Sequence, residues 1–404
     1  MKLTWIVPDT YGFLVDELEG LAKCIDGIRV LSGMPIPAAV RERLPKVELH
    51  FCPERSPWST SRTRRMLGEL TAIHGWRRVI ASGWHTRKIA GICEALCELE
   101  ANAASTVIHS HFAHPDGVGG WLVPGAAQVL TLRGYDILTT GSYGSLWNPF
   151  YRGNLLHHYA HRGIITTGSR FSTLRARQML GSQADIRFIK QGITSPSFQA
   201  AQRHSRASLG IPAAARVLVS VGNLVEVKNP RFLLEVFAKL VLAREPGTLH
   251  LLLCGDGPLR EELQRQAGSL GIAGCVHFLG KLPREELTDI YLLSDLFVHP
   301  SLSEGFGNVI LEAMLHQLLV VASPVGVAPD VIRHGENGYL ALPGDRAEWL
   351  QSLGEALERL SAFDEAREEN RRTVIGNYSM DHRIAAYLEI YQEAAQNRKR
   401  SPAA

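Results

Sequence analysis

The sequence predicts an α/β protein built from two parallel, doubly wound sheets, one in each half of the chain. Three observations carry that prediction. The chain has 404 residues, more than one hydrophobic core comfortably serves, so two domains are the default. In both halves, short apolar runs alternate with stretches whose apolar residues recur at helical spacing, the pattern of β-α-β units. The polar or glycine-containing stretches at 8–12, 109–116, 222–228, 255–257 and 304–308 each follow a predicted strand, which is where open α/β sheets bind ligands.

Residues 3–7 form the first strand, the loop PDTYG follows, and a helical pattern runs from Phe13 to Lys23. IRVLSG and KVELHFC are further strands, joined by the Pro-flanked connection MPIPAAVRERLP. Residues 60–73 and 86–100 have helical periodicity on either side of the strand RVIASG. TVIHSHFAHPDGVGG, residues 106–120, is a strand that empties into a loop with His109, His111, His114 and Asp116. Alternate residues of a strand share a face, so this set admits two readings from the residues alone, packed structural histidines or a metal centre. In VLTLRGYDI, Arg133 is a permanent cation that forks onto a phosphate or carboxylate, or pairs with Asp136. LLHHYAHR reads as helix, GIITTGS as strand, FSTLRARQML as helix and IRFIKQGITSPSF as strand and turn. The polar, Pro-containing AQRHSRASLGIPAAA is the interdomain connection.

The second half opens with a strand, Gly222, a loop carrying Asn223 and Lys228, and a helix started near Asn229-Pro230. LHLLLCGDGPLREEL is a strand, a turn at Gly255-Asp256-Gly257 and a helix. A lone G-x-G marks either a tight turn or a close approach of backbone to ligand. VHFLGKLPREELTDIYLLSDLFVHP supplies a strand, a loop at Lys281-Leu282, a helix, and an apolar strand ending at Pro300. SLSEGFGNVILE, residues 301–312, is the stretch the chain is organised around. Gly305 and Gly307 stand where a strand gives way to a helix whose first amides have no intrahelical partners and suit a phosphate or diphosphate. Glu304 precedes the glycines, and Glu312 lies eight residues on, about two helical turns. A carboxylate beside a phosphate site should face neutral hydroxyls, so Glu304 suits a hexose hydroxyl and Glu312 a ribose diol. A capping acid and an exposed helical Glu are the alternative. VVASPVGVAPDVIRHGENGYL leads to a last strand, and residues 346–371 and 381–396 are helical and charged.

Composition places bounds on the function. An apolar share of 45% with 21% charged residues is that of a soluble globular protein. MKLTWIVPDTYG reads as a first strand and not a signal peptide, and LHLLLCG and LLVVAS fall well short of a bilayer span. The expected location is the cytoplasm, with peripheral contact at the inner face of the cell membrane an option. Residues 1–200 hold 22 Lys+Arg against 15 Asp+Glu, and the remainder 21 against 25, so charges of +7 and −4 make up the net +3. The clusters RERLPK, SRTRR, GWRRV and HTRK are either solvated surface or an attraction to anionic headgroups or a phosphorylated acceptor. Too few aromatics are interleaved for nucleic acid. The six cysteines, at 24, 52, 93, 97, 254 and 275, have no zinc-ribbon or redox spacing and read as reduced and mostly buried.

Glu304-Gly-Phe-Gly followed by Glu312-Ala-Met resembles the E-x7-E signature of retaining glycosyltransferases of the family 4 type, the glycosyl transferases group 1. Those proteins have the GT-B fold, two Rossmann-like domains facing a cleft. The resemblance covers nearly all of residues 1–395, including H-x-H-F at 109–112, T-L-x-G-x-D-I at 131–137 and G-x-L-x-x-x-K at 222–228. It implies an acceptor-binding domain over 1–198, a nucleotide-sugar-binding domain over 199–375, and a C-terminal helix over 376–404 crossing back to the first. It implies transfer of a sugar, with retention, from a nucleoside diphosphate sugar to a glycan or lipid-linked acceptor, as in cell-surface polysaccharide or glycolipid synthesis, with no metal or other cofactor.

The same resemblance assigns His111 and Glu304 to catalysis, with His111 beside the donor sugar. It assigns Gly12, Asn223, Lys228, Gly255, Gly257, Leu282, Glu304, Gly305, Phe306, Gly307, Asn308 and Glu312 to the donor, and Arg133 to the acceptor side. Phe13, Arg133 and Asn223 depart from the family's usual Gly, His and Arg, and Val327 and Asp330 from its Gly and Glu. The departures keep a catalytically silent sugar-nucleotide-binding protein open. The set His109, His111, His114 and Asp116 keeps a metal-dependent hydrolase open.

Overall fold

The computed structural model describes residues 2–8, 12–54, 83–99, 106–112, 126–133, 163–193 and 203–400. The chain forms two compact units, Met1–Gly192 together with Met380–Ala404, and Ile193–Ser379. Each is built on a parallel sheet, as the alternation of apolar runs and helical patterns predicts.

In the first unit the strands β1 (Lys2–Val7), β2 (Ile28–Ser32), β3 (Val47–Phe51), β4 (Thr106–His111), β5 (Ala127–Leu132), β6 (Ile164–Thr167) and β7 (Ile186–Phe188) lie in the order β3-β2-β1-β4-β5-β6-β7. The order reverses between β1 and β4, so the crevice of this sheet opens beyond Val7 and His111. Every residue of β4, β5 and β6 is buried, as expected of parallel strands covered on both faces. The helices Gly12–Leu21, Gly83–Leu99 and Arg170–Leu180 accompany them. The expected helix at 60–73, residues 78–82 of the strand RVIASG and the helix LLHHYAHR lie outside the described residues, as do His114, Asp116 and Asp136.

The second unit orders β8 (Arg216–Val221), β9 (Leu249–Cys254), β10 (Val276–Gly280), β11 (Leu296–His299), β12 (Leu319–Ala322) and β13 (Tyr339–Leu340) as β10-β9-β8-β11-β12-β13. Its switch point falls between β8 and β11, the strands that precede Lys228 and Glu304. The stretch 346–371, expected as one helix, is two, Arg346–Glu358 and Asp364–Asn377. A 3₁₀ turn between them drops Leu360 and Phe363 into the core, where Phe363 packs on Tyr339. Cys52 and Cys254 are buried, while Cys24 is exposed. Among the described residues, no helix is long and apolar enough to cross a membrane.

The helix Met380–Arg400 belongs to the first unit and supplies part of its core. Tyr391 Oη receives the indole N–H of Trp5 at 3.2 Å, and Tyr387 Oη lies 2.9 Å from Thr131 Oγ1. Gly20 makes room for Ile384, whose Cδ1 lies 1.9 Å from where a Cβ would stand. Arg383 donates from Nε to Glu17 Oε2 at 2.9 Å, with the two side chains 1% and 0% exposed. A buried pair of this kind is costly to break from one side, because the remaining charge has neither water nor partner. Arg383→Met should therefore destabilise the first unit by about 3–5 kcal/mol. Combining it with Glu17→Leu should recover most of that loss, with urea unfolding as the measurement.

Candidate active site

Three loops converge at the switch point of the second sheet. After β8 the chain makes a 3₁₀ turn, Glu226–Lys228, that ends on Asn229 in the left-handed region (φ 55°), ahead of the helix Pro230–Leu242. The Val227 carbonyl accepts from Ser301 Oγ at 2.9 Å and Leu302 N–H at 2.8 Å, which pins the Lys228 turn against the loop after β11. That loop runs through Glu304 to Gly307, whose left-handed conformation (φ 89°) starts the helix Asn308–Leu315. From the loop after β12, Val327 N–H donates to the Phe306 carbonyl at 2.7 Å. Gly326 makes that approach feasible, since a Cβ there would meet Phe306 O at 2.2 Å and Glu304 Cβ at 2.8 Å. Gly326 also takes the positive φ of this turn (61°), so Val327 can occupy a place where glycine is usual.

Glu304 is buried at the centre. Its Oε1 accepts from His299 Nε2 at 2.7 Å and from the Lys228 ammonium. Burial alone would raise the Glu304 carboxyl. The hydrogen bond and charge of His299, and then the charge and hydrogen bond of Lys228, outweigh it and hold the group at about 2. Glu312, about one turn along the helix, accepts from Tyr291 Oη at 3.2 Å. Burial raises its carboxyl, countered in part by the Arg284 charge and the Tyr291 hydrogen bond. Tyr291 in turn stacks on His316, ring centroids 4.8 Å apart. The loop thus offers an ammonium, a fixed ionised carboxylate, an open helix N-terminus at Gly307 and Asn308, and a second carboxylate held by a phenol.

Gly255 and Gly257 pack loop against loop. A Cβ on Gly255 would stand 2.0 Å from Gly222 O, and one on Gly257 2.5 Å from Leu224 O. The stem of Lys228 passes beside Gly222, its Cε 3.7 Å from where a Cβ would stand. Phe306 and Leu282 are partly buried against the core of the second unit, Asn223 is exposed, and the Asn308 side-chain oxygen Oδ1 is buried with no partner among the described residues. His299, Tyr291 and Gly326 were not expected at the site. A histidine five residues before Glu304 at a strand end was the signal for the first, and the other two depend on packing that sequence spacing does not reveal.

In the first unit Gly12 begins the helix Gly12–Leu21, with open space where a Cβ would stand. His109 and His111 are both fully buried, with ring centroids 4.1 Å apart, and Trp5 lies 4.1 Å from the His111 ring. Both nitrogens of His109 are engaged, Nδ1 with Tyr391 Oη and Nε2 with Thr131 Oγ1, each at 2.7 Å. A metal at His109 would have to displace one of them, and among the described residues no cluster of three His, Cys, Asp or Glu side chains could hold an ion. Arg133 Nη2 lies 2.9 Å from His111 Nδ1. Arginine only donates, so Nδ1 accepts and the proton of the neutral ring sits on Nε2, a buried donor without a partner among the described residues. Burial, then His109, Arg133 and Arg383, push the His111 imidazole well below its ordinary value, so it is neutral. Arg133 also reaches Gln191 Oε1 at 3.3 Å.

Two parallel Rossmann-like sheets, each with its strand order reversing at a switch point, are the architecture of GT-B proteins. Anabaena HepE, solved in complex with UDP and glucose, shares that fold with a TM-score of 0.72 at 20% identity, over 97% of this chain and 100% of its own. Residues 201–375, nearly all of the second unit, match the family Glycosyl transferases group 1. It is 25% identical over 315 residues to the N-acetyl-alpha-D-glucosaminyl L-malate synthase of Bacillus anthracis, covering 76% of this chain and 80% of that one. It is 33% identical over 193 residues to the D-inositol 3-phosphate glycosyltransferase of Corynebacterium jeikeium, covering 46% of this chain and 44% of that one. The chain thus spans about half the length of such inositol phosphate relatives.

The depressed carboxyl of Glu304 has a defined consequence for stability. In the window between its ordinary value of 4.5 and its folded value of about 2, the unfolded chain binds the proton and the folded chain does not. The contribution is fully present above the ordinary value and is lost as pH falls toward the folded one. Acid titration of stability should fall more steeply in the parent than in Glu304→Gln, by a difference of order 3 kcal/mol across the window.

Proposed function

We propose that this protein is a retaining, metal-independent glycosyltransferase that moves a sugar from a nucleoside diphosphate sugar to an acceptor hydroxyl. The observation that carries the reading is the loop cluster after β8 and β11, where Lys228, Glu304 and the N-terminus opened by Gly307 meet. The amides of Gly305, Gly307 and Asn308, with Lys228, receive the diphosphate and stabilise the charge that grows on it as the glycosidic bond breaks. Glu304, ionised and aimed by its neighbours, accepts from a sugar hydroxyl. Glu312 accepts from the ribose diol, which gives its buried carboxylate the donors that offset desolvation. Asn223 completes the donor contacts within the second unit. The departing phosphate oxygen takes the acceptor proton, so the incoming group arrives on the face the diphosphate leaves.

In the first unit, His111 has its Nε2–H to offer to a sugar hydroxyl. Arg133 beside it recognises an anionic group on the acceptor, free or on a glycan or lipid carrier of the cell surface. The names of two relatives support an anionic acceptor, one carrying a phosphate and the other malate. The excess of basic residues in the first half favours the same charge and, for a lipid-linked acceptor, an anionic membrane surface on the cytoplasmic side.

Thermal stabilisation and turnover with a panel of UDP- and GDP-sugars test the reading. No stabilisation by any of them would overturn it. Glu312→Ala should weaken binding of the nucleoside diphosphate itself by about 1–3 kcal/mol, measured by calorimetry. Transfer should continue undiminished in excess chelator, because Lys228 and the helix amides supply the positive charge. Strict dependence on added manganese would contradict that assignment.

A further inference from the structure

Lys228 and His299 both hold Oε1 of Glu304, yet they are held very differently themselves. The Lys228 side chain is 28% exposed and stands on a 3₁₀ turn, with a long flexible stem over Gly222. The His299 side chain is 3% exposed and ends β11, where it is registered with Ala322 and its carbonyl accepts from Ser323 N–H at 2.9 Å. The stem of Glu304 is confined too, since Gly326 packs directly on its Cβ. Only the carboxyl head has freedom, and its orientation is set by what bonds to Oε1.

A diphosphate arriving at the helix opened by Gly307 changes that balance. It carries more negative charge than one carboxylate and competes for the ammonium. When Lys228 turns to it, Glu304 loses a partner while still buried, a state that costs several kcal/mol unless another donor remains. His299 is that donor. An ionised carboxylate only accepts, so Nε2 carries the hydrogen and the bond is charge-assisted.

We propose that His299 is a positioning residue that keeps the Glu304 carboxylate aimed at the donor sugar while Lys228 is exchanged from Glu304 to the diphosphate. The proposal rests on the donor-site reading above. In the ligand-free protein Lys228 and Glu304 neutralise each other, so neither charge is left uncompensated. In the donor complex each faces its own part of the ligand, Lys228 the phosphates and Glu304 the sugar. Neither of the contacts on Oε1 occupies Oε2, which is the oxygen available to a hydroxyl.

The test compares the parent with His299→Leu, which has no donor, and His299→Gln, whose amide nitrogen can take the place of Nε2. Three quantities are measured, namely affinity for the nucleoside diphosphate alone, kcat and KM with the sugar nucleotide, and the titration of the Glu304 carboxyl by NMR. His299→Leu should leave diphosphate affinity within about twofold of the parent and lower kcat at least about tenfold, with His299→Gln restoring most of the rate. The Glu304 carboxyl should titrate higher in His299→Leu than in the parent. Equal losses of diphosphate affinity and rate, or a Glu304 titration that His299→Leu does not move, would reduce His299 to a packing residue and overturn the proposal. A parent that binds no nucleoside diphosphate overturns the transferase reading and the exchange with it. Normal parent binding with an indifferent His299→Leu overturns the exchange alone.

Discussion

The Glu304 carboxylate is the constraint around which the second unit arranges its loops. It stands at the switch point between β8 and β11, buried where an ionised acid would ordinarily be neutralised. Two donors reverse that outcome, and they come from different places in the chain, Lys228 from the turn after β8 and His299 from the end of β11. The same contacts that keep the acid ionised also tie these segments together. The Val227 carbonyl, bonded by Ser301 and Leu302, adds a backbone tie between the same two loops. Charge state and loop geometry are therefore one property here, since protonating the acid would weaken both the ion pair and the hold on the turn.

Around this centre the loops meet through backbone, and glycine is what permits it. Gly255 and Gly257 lie against the carbonyls of Gly222 and Leu224, and Gly326 lies against that of Phe306. Any Cβ at these three positions would stand 2.0 to 2.5 Å from a carbonyl oxygen. The loops are thus seated by contacts that a side chain would prevent. Phosphate-binding proteins use glycine to admit a ligand, whereas Gly255 and Gly257 here admit a neighbouring loop. Through Gly222 they fix the backbone beside the Lys228 stem.

The first unit uses buried polar groups in another way. Its first strand, its fourth and fifth strands and the last helix of the chain are joined through Trp5, His109, Thr131, Tyr387 and Tyr391. Because both nitrogens of His109 are spent on this network, His109 is a structural element. His111, two residues on, shares the face and the burial but has one nitrogen without a partner among the described residues. That single difference separates a packing histidine from one that can meet a ligand. Arg133 settles its tautomer, since a guanidinium can only donate.

The sequence by itself determined the two parallel sheets, because buried parallel strands are near-continuous apolar runs and their helices repeat at 3.6 residues. It also determined the strand–glycine–helix junction at 304–308 and the eight-residue spacing of Glu304 and Glu312, since both are local. Tertiary structure decided the rest. His299 becomes a partner of Glu304 only because the loop after β11 folds back on the end of its own strand. Lys228, 76 positions away in sequence, joins them because the sheet order sets β8 beside β11. The glycines at 255 and 257 lie against the carbonyls of Gly222 and Leu224, a contact of which a G-x-G spacing carries no record. Sequence spacing reports neighbours along one element. Which loops share a switch point follows from strand order, and that order is settled by packing across the whole sheet.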